Sequence, residues 1–500
     1  MVIGILLALI AGATSWHYRG KFSFSPSTRE SSQIVQPSIK PDTIAVLPLH
    51  NTTSDNNLEY LRFGLADEIA SILTYSRGLD VRPTWSTQKY VNVDVDPQQA
   101  GQELHVADVV TGHFMREGGR IIVVLEAIDV SSNSVIWQSA PITAIKQDLI
   151  SLRDALSKQV RAGLLPALRV GNEFLETSTR PNNQEAYDLY LRSASVPHDE
   201  KANKEAIAML ERAIGMDPTY APPWLALGLR YYYESLYSSG GEEAFQKSNA
   251  SYERALALDP NLFWAAGSLI TNRVERGELL QAYEQGRAFV KQRPQSAQAH
   301  YVLAYVLRYA GMLNEAGNEC DEALKLDPGN FTLRSCTRAF LYNGDTRRAR
   351  EFVSLDAGSE WARSETVGIL LRERKLAEAR DAVNRMPTNK QYHRDLMEAV
   401  VGLRSPAELD RIAQEKMETQ PEYEDPERFY AQGAALAFAG KKDAALRMLR
   451  LAIEHNYCAY ADLENDPLLS KLRATAEFAE LLKAARSCQQ PLLAATSAGR

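Results

Sequence analysis

The spacing of apolar positions changes character along the chain. In the amino-terminal third, short apolar runs alternate with helical stripes. Ile44-Ala-Val-Leu-Pro-Leu49 reads as a buried strand, and Leu58, Leu61, Leu65, Ile69, Ile72 and Leu73 then recur at intervals of three and four. That is the stripe of an amphipathic helix facing a sheet. Leu79 to Arg82 reads as a second strand and Pro97 to Leu104 as a short helix. Val106 to Met115, Arg120 to Val130 and Ser134 to Ala144 read as three strands, joined by hairpin-type turns at Glu117-Gly-Gly119 and Ser131-Ser-Asn133. A closing helix from about Gln147 to Leu168 carries Leu149, Leu152, Leu156, Val160 and Leu164 on one face. The order βαβαβββα predicts a small mixed-sheet α/β domain over residues 43–168, followed by a linker over 169–186.

Beyond residue 186 the pattern is helical only, and one phrase recurs: Ala213-Ile-Gly-Met-Asp-Pro218, Ala255-Leu-Ala-Leu-Asp-Pro260 and Ala323-Leu-Lys-Leu-Asp-Pro328. Pro260, Pro294 and Pro328 stand 34 residues apart, while Pro218 to Pro260 is 42, one unit plus eight. Thirty-four residues is the tetratricopeptide period, and Trp224-Leu-Ala-Leu227-Gly228-Leu-Arg-Tyr231 reproduces the W-x2-L-G-x2-Y signature of its first helix. Small residues let the paired helices approach, and Asp-Pro ends each second helix by withdrawing a backbone donor. An all-α superhelix of such repeats is therefore expected over 187–486. Repeats fall at 187–220, 221–262, 263–296 and 297–330, and irregular pairs follow. Asn465 to Arg473 is expected to cap the last apolar face, leaving 487–500 as a tail.

In such an array the first helices line a concave side. The consensus positions that face it hold Leu225, Leu229, Tyr232 and Tyr233 in the second repeat, Trp264 and Thr271 in the third, and Tyr301, Tyr305, Arg308 and Tyr309 in the fourth. Tyr, Trp and Arg dominate binding hot spots, so these positions are candidate contacts for a peptide or protein partner. The alternative is that the rings pack between helices. The Lys and Asn of a chaperone-type carboxylate clamp are missing, because their positions are Leu225 and Leu229 or Tyr301 and Tyr305.

Composition narrows the function classes. Of 500 residues 45% are hydrophobic and 24% charged, with a net charge of -7 and no long run of like charges, so no nucleic-acid surface is expected. Nucleotide-binding, kinase, serine-hydrolase and zinc-protease motifs are all missing, and neither an enzyme nor a cofactor is expected. Asp67 and Glu68 are adjacent on a helix, point about 100° apart and cannot form a carboxylate dyad; they read as a solvated face. His105 and His113 lack a third ligand, so no metal is expected. Cys320, Cys336, Cys458 and Cys488 have no C-x2-C spacing and read as small buried hydrophobes, disulfides being the alternative in an exported chain.

Residues 1–21 contain an uncharged apolar run, Val2 to Trp16, short of the ~20 residues of a spanning helix. It reads as a secretory signal, an uncleaved membrane anchor or the tail of a longer membrane helix. Arg19 and Lys21 follow it, against an exported orientation by the positive-inside rule. A start assigned too late in the gene, with an effector domain missing ahead of it, would reconcile the two. Residues 22–42, rich in Ser and Pro, read as a flexible spacer.

Ile44-Ala-Val-Leu-Pro48, Glu59 to Ile69, Val110-Thr-Gly112, Gly119 to Val123, Ile128-Asp129 and Val135-Ile-Trp137 resemble the small domain named for the TolB amino terminus and the flagellar FlgO protein. The resemblance implies a bacterial protein held at the inner membrane or exported to the periplasm. It implies a non-enzymatic interaction module, or else the extracytoplasmic sensory portion of a receptor. In such receptors a cytoplasmic winged-helix domain, kinase or adenylate cyclase precedes a membrane helix.

Overall fold

Alternation along the first strand sets the layers. In β1 (Thr43–Val46) Ile44 and Val46 face one apolar cluster, while Ala45, with Leu47 just beyond the strand, faces another. The structure, a computed structural model, describes residues 42–498 except 54, 92–94, 146, 170–173, 176–178, 198, 239, 387, 389–392 and 419–424. The apolar leader and nearly all of the spacer lie outside the described residues. Six further strands follow: β2 (His50–Asn51), β3 (Asp80–Val81), β4 (Asp108–Glu117), β5 (Arg120–Asp129), β6 (Ser134–Gln138) and β7 (Ile142–Ile145). The sheet runs β3-β1-β4-β5-β6, with β2 also on β4 and β7 also on β5. β1 is parallel to both its neighbours, and β4 and β5 form an antiparallel hairpin closed at Gly118-Gly119.

The expected strand from Ser134 to Ala144 is broken in two. β6 pairs with the end of β5 and β7 with its start, and between them Ser139 holds Leu125 by two hydrogen bonds while Pro141 has no donor for a ladder. The helices α1 (Leu61–Thr74) and α3 (Leu149–Gln159) cover one face of the sheet, and α2 (Pro97–Leu104) covers the other. A π-helical turn, Val160–Leu164, and the short α4 (Leu165–Ala167) extend α3.

The repeats pair as α5 (Gln184–Ala194) with α6 (Glu200–Met216), α7 (Ala221–Tyr237) with α8 (Gly241–Leu258), α9 (Phe263–Glu275) with α10 (Leu279–Gln292), and α11 (Ala297–Tyr309) with α12 (Leu313–Leu326). The eight extra residues become one added turn in each helix of the second repeat: α7 has 17 residues against 13 in α9, and α8 has 18 against 14 in α10. Gly228 of the signature is where the Tyr252 ring lies, 2.5 Å from where a Cβ would stand. After a 3-10 turn, Phe331–Cys336, come α13 (Thr337–Tyr342), α14 (Thr346–Ser354), α15 (Glu360–Arg372) and α16 (Leu376–Asn384). The last six are α17 (Arg394–Val400), α18 (Pro406–Glu418), α19 (Pro426–Phe438), α20 (Lys442–Glu454), α21 (Tyr460–Asn465) and α22 (Ala476–Ala498).

The α/β domain and the first repeats share one core. Tyr187, Tyr190, Leu191, Leu210, Tyr220 and Leu227 pack in the same apolar cluster as α1 and α3. Here Asp67 and Glu68 depart from the expected solvated face. They do diverge around the helix, but Glu68 is 2% exposed and holds Arg153 at 2.8 Å inside the core, and Asp67 is half-buried. Glu68 is tolerated there because Arg153 neutralises it and Tyr220 donates to its other oxygen.

The residues that end the second helices also hold the linker and the α/β domain. Asp217 accepts from the Asn182 backbone, Asp259 from the Tyr75 hydroxyl at 2.8 Å, and Asp327 from Arg82 through both oxygens. In the third repeat, where the phrase has Arg293 for Asp, the guanidinium donates to the carbonyl of Thr74. Arg82 and Asp327 are each 2% exposed, and Arg82 also donates to the carbonyls of Leu104 and His105.

At the other end the array turns back on itself. The Cys458 backbone donates to Tyr309, the Gln489 amide donates to the carbonyl of Ala310, and Gly311 leaves room for the carbonyl of Cys458. Two expectations are corrected in this region. The cysteines are not free thiols: Cys320 bonds Cys336, and Cys458 bonds Cys488. The expected tail is helical to Ala498, with Leu492 buried at 1% exposure. Among the described residues no helix is long and apolar enough to cross a membrane.

Candidate functional site

The candidate contacts read from the repeat positions divide between two concavities. Leu225, Leu229 and Trp264 line a cleft of about 160 Å³ between the repeats and α1. Tyr232, Tyr301, Tyr305 and Arg308 line a second chamber of about 250 Å³, enclosed on its far side by α15 and α19. Tyr233 and Thr271 are half-buried and line neither. Tyr309 stands behind the chamber wall at 0% exposure, stacked on Tyr305 with ring centroids 5.0 Å apart and edge-on to Tyr457.

Polar groups that the repeat pattern did not single out complete the chamber. Arg308, 2% exposed, pairs with Glu427 at 2.8 Å, donates to the carbonyl of Ser335 and lies over the Tyr305 ring. Glu427 is fully buried and also receives Arg338, which holds Glu365 at 2.7 Å. Arg308 is therefore a buried strut of the wall, fixed by three partners. Tyr301 is half-buried and shares a hydrogen bond of 2.7 Å with Ser335.

A line of hydroxyls joins two acids across the chamber. Tyr232 and Tyr305 donate to one oxygen of Glu275 at 3.0 and 2.9 Å, Tyr305 and Tyr309 touch at 3.1 Å, and Tyr309 donates to Asp425 at 2.7 Å. With both tyrosines donating outward, the contact between them holds no proton. A proton on one of the acids supplies it. Burial pushes Glu275 up to about 8, helped by the charge of Asp425 and opposed by the tyrosine hydroxyls. Burial and the neighbouring Glu427 raise Asp425 as well.

The missed residues carried one local signal. Asp425-Pro426-Glu427 repeats the Asp-Pro phrase, but at the start of a helix, where Asp425 caps the Glu427 backbone. Arg338, Glu365 and Glu275 carried none, because only folding brings α9, α13, α15 and α19 together.

Comparison with known proteins divides the chain in the same way. Residues 40–159 match the family described as HilA/YgeH-like transcriptional regulator, second domain, in place of the expected TolB or FlgO domain. Residues 297–330 match the tetratricopeptide repeat. "Putative adenylate cyclase 3" of Rhizobium meliloti strain 1021 is 28% identical over 189 residues, 37% of this chain and 32% of that protein. Transcriptional regulator HilA of Salmonella typhimurium strain LT2 is 24% identical over 298 residues, 57% of this chain and 51% of that protein. The matched stretches thus span about a third and about half the length of these relatives. A tetratricopeptide repeat protein from Parabacteroides merdae has a solved structure that covers 61% of this chain and all of its own, at 14% identity and a TM-score of 0.33.

Proposed function

We propose that this chain is a non-enzymatic interaction module whose repeat array captures a peptide segment of a partner protein in the Tyr301 chamber. The observation that carries the reading is the meeting of Tyr232, Tyr301, Tyr305 and Arg308, all from ligand-facing repeat positions, in one concavity of mixed polar and apolar lining. Aromatic rings with polar handles, held in place by buried ion pairs, give a rigid surface with little ordering cost on binding. A phage-displayed peptide library selected on the full chain tests it. Selected peptides should bind the Tyr301→Ala variant at least about tenfold more weakly while its melting temperature stays within a few degrees. Equal binding to both forms would place the partner elsewhere.

A second reading is favoured by the match of residues 40–159 to a regulator domain and by the two signalling relatives. On it, this chain is the extracytoplasmic sensory portion of a receptor, held at the inner membrane through residues 2–16, whose effector acts in the cytoplasm. Two disulfides suit an oxidising compartment. Reporter fusions at Lys40 check the topology, and an in-frame effector encoded upstream of Met1 checks the receptor. Cytoplasmic reporter activity alone would refute the export.

A further inference from the structure

The cleft between α1 and the repeats is a different kind of space from the chamber. Its walls are Phe63 and Ala70 of α1, Leu225 and Leu229 of α7, and Phe263 and Trp264 of α9. Trp85 forms the lip, 43% exposed, and meets Trp264 edge-on at 5.5 Å, while Phe263 meets Trp264 edge-on at 5.4 Å. Phe263 is also stacked on Phe289 at 4.9 Å and lies under the Arg293 guanidinium, which leaves Phe63, Trp85 and Trp264 as the further aromatic rings of the lining, and a ring face carries the negative part of the aromatic quadrupole.

Among the described residues, Asp67 is the only acidic one in the lining. Thr84 donates to one of its oxygens at 2.5 Å and Tyr190 to the other at 3.2 Å, which leaves each oxygen with acceptor capacity to spare. Both arginines of the lining are committed elsewhere. Arg82 grips Asp327, and Arg230 donates to the carbonyls of Pro197, Ser193 and Val196. An anion would find both guanidiniums of the lining engaged in hydrogen bonds, whereas a cation would find aromatic walls and one carboxylate.

The geometry points to this cleft as a binding site for a small organic cation, an ammonium group on a single apolar ring, with the ammonium against Asp67 and the ring among Phe63, Phe263 and Trp264. An apolar cavity of roughly 150 Å³ takes one benzene, so about 160 Å³ takes one ring with a short tail. Cation–π attraction is strongest for Trp and grows where water is excluded. Burial also raises the Asp67 carboxyl above its ordinary range, and the charge of Glu68 adds to this, against Thr84, Tyr190 and Arg230. A bound cation adds to the counter-charge that Arg230 already gives Asp67. Such a ligand touches α1 on one side and α5, α7 and α9 on the other, so its occupancy ties the α/β domain to the repeats.

The test uses isothermal titration of the full chain at neutral pH with three probes of one shape: phenethylammonium, phenethyl alcohol and phenylacetate. Phenethylammonium is expected to bind saturably, the alcohol at least about tenfold more weakly, and phenylacetate not at all. Asp67→Asn should bring the ammonium down to the affinity of the alcohol and leave the alcohol unchanged. Trp85→Ala, at the exposed lip where folding is not at stake, should weaken the ammonium several-fold. Equal affinity for ammonium and alcohol overturns the proposal, as does a folded Asp67→Asn protein that binds ammonium normally. Absence of saturable ammonium binding up to roughly 10 mM overturns it too.

Discussion

Leu225 and Leu229 in the second repeat stand where Tyr301 and Tyr305 stand in the fourth, yet the two pairs face different worlds. Over the leucines the α/β domain closes an apolar cleft with a single acid. Over the tyrosines the returning carboxy-terminal helices close a chamber crossed by ion pairs and hydroxyls. The repeat unit therefore fixes which positions point inward, and whatever covers them fixes their chemistry. Leucines suit a neighbour that brings Phe63 and Trp85; tyrosines suit one that brings Asp425 and Glu427.

The contrast can be broken most severely at Glu427. Replacing it by Ala strands Arg308 and leaves Arg338 with Glu365 alone, and loss of one partner of a buried pair costs about 3–5 kcal/mol. Urea unfolding should show that loss at the high end of the range. On the apolar side, Asp327→Ala strands only Arg82, which keeps its carbonyl acceptors Leu104 and His105. A loss near the lower end, about 3 kcal/mol, is expected from the same measurement. Removing the Cys320–Cys336 bond with a double Ala variant should cost about 2–4 kcal/mol by thermal melting and leave the cleft's ligand affinity unchanged.

The most specific effect is one of pH. Glu275 is raised in the folded chain from 4.5 to about 8, so the folded state holds a proton that the unfolded chain releases. Its contribution is complete below about 4.5 and is lost as pH rises toward 8, with a slope of at most about 1.4 kcal/mol per pH unit for one proton. Melting temperature should therefore fall between pH 6 and pH 8, both roughly within that window. Glu275→Gln, which mimics the protonated acid, should flatten the fall, and an unchanged slope would assign the proton elsewhere.

How much could be read in advance follows from how far apart the deciding contacts lie. The 34-residue spacing and the Trp224 signature are local, and they located four helix pairs to within about three residues of their starts. The hairpin of β4 and β5 was legible for the same reason, since Gly118-Gly119 is a turn in its own right. Glu68 was misread because an acid on a helix is usually solvated, and its partner Arg153 lies 85 residues on. The chamber residues Arg308 and Glu427 are separated by 119 residues, and no period connects them. In each concavity the sequence singled out only a few lining residues on the repeats' first helices: Leu225, Leu229 and Trp264 in the cleft, and Tyr232, Tyr301, Tyr305 and Arg308 in the chamber.

The helix-ending residues have a consequence for alignment. A stack of similar repeats offers a docked neighbour several nearly equivalent seats, one per repeat, and sliding by one unit would preserve most of the shape. The four ends here are not interchangeable. In order they read Asp217, Asp259, Arg293 and Asp327, and they meet the Asn182 backbone, the Tyr75 hydroxyl, the Thr74 carbonyl and Arg82. Moved one repeat back, the buried Arg82 would confront the half-buried Arg293, two guanidiniums face to face. The single departure from the repeated phrase thus works as a key among the three ends that meet the α/β domain, Asp259, Arg293 and Asp327, and the domain fits the stack in one register.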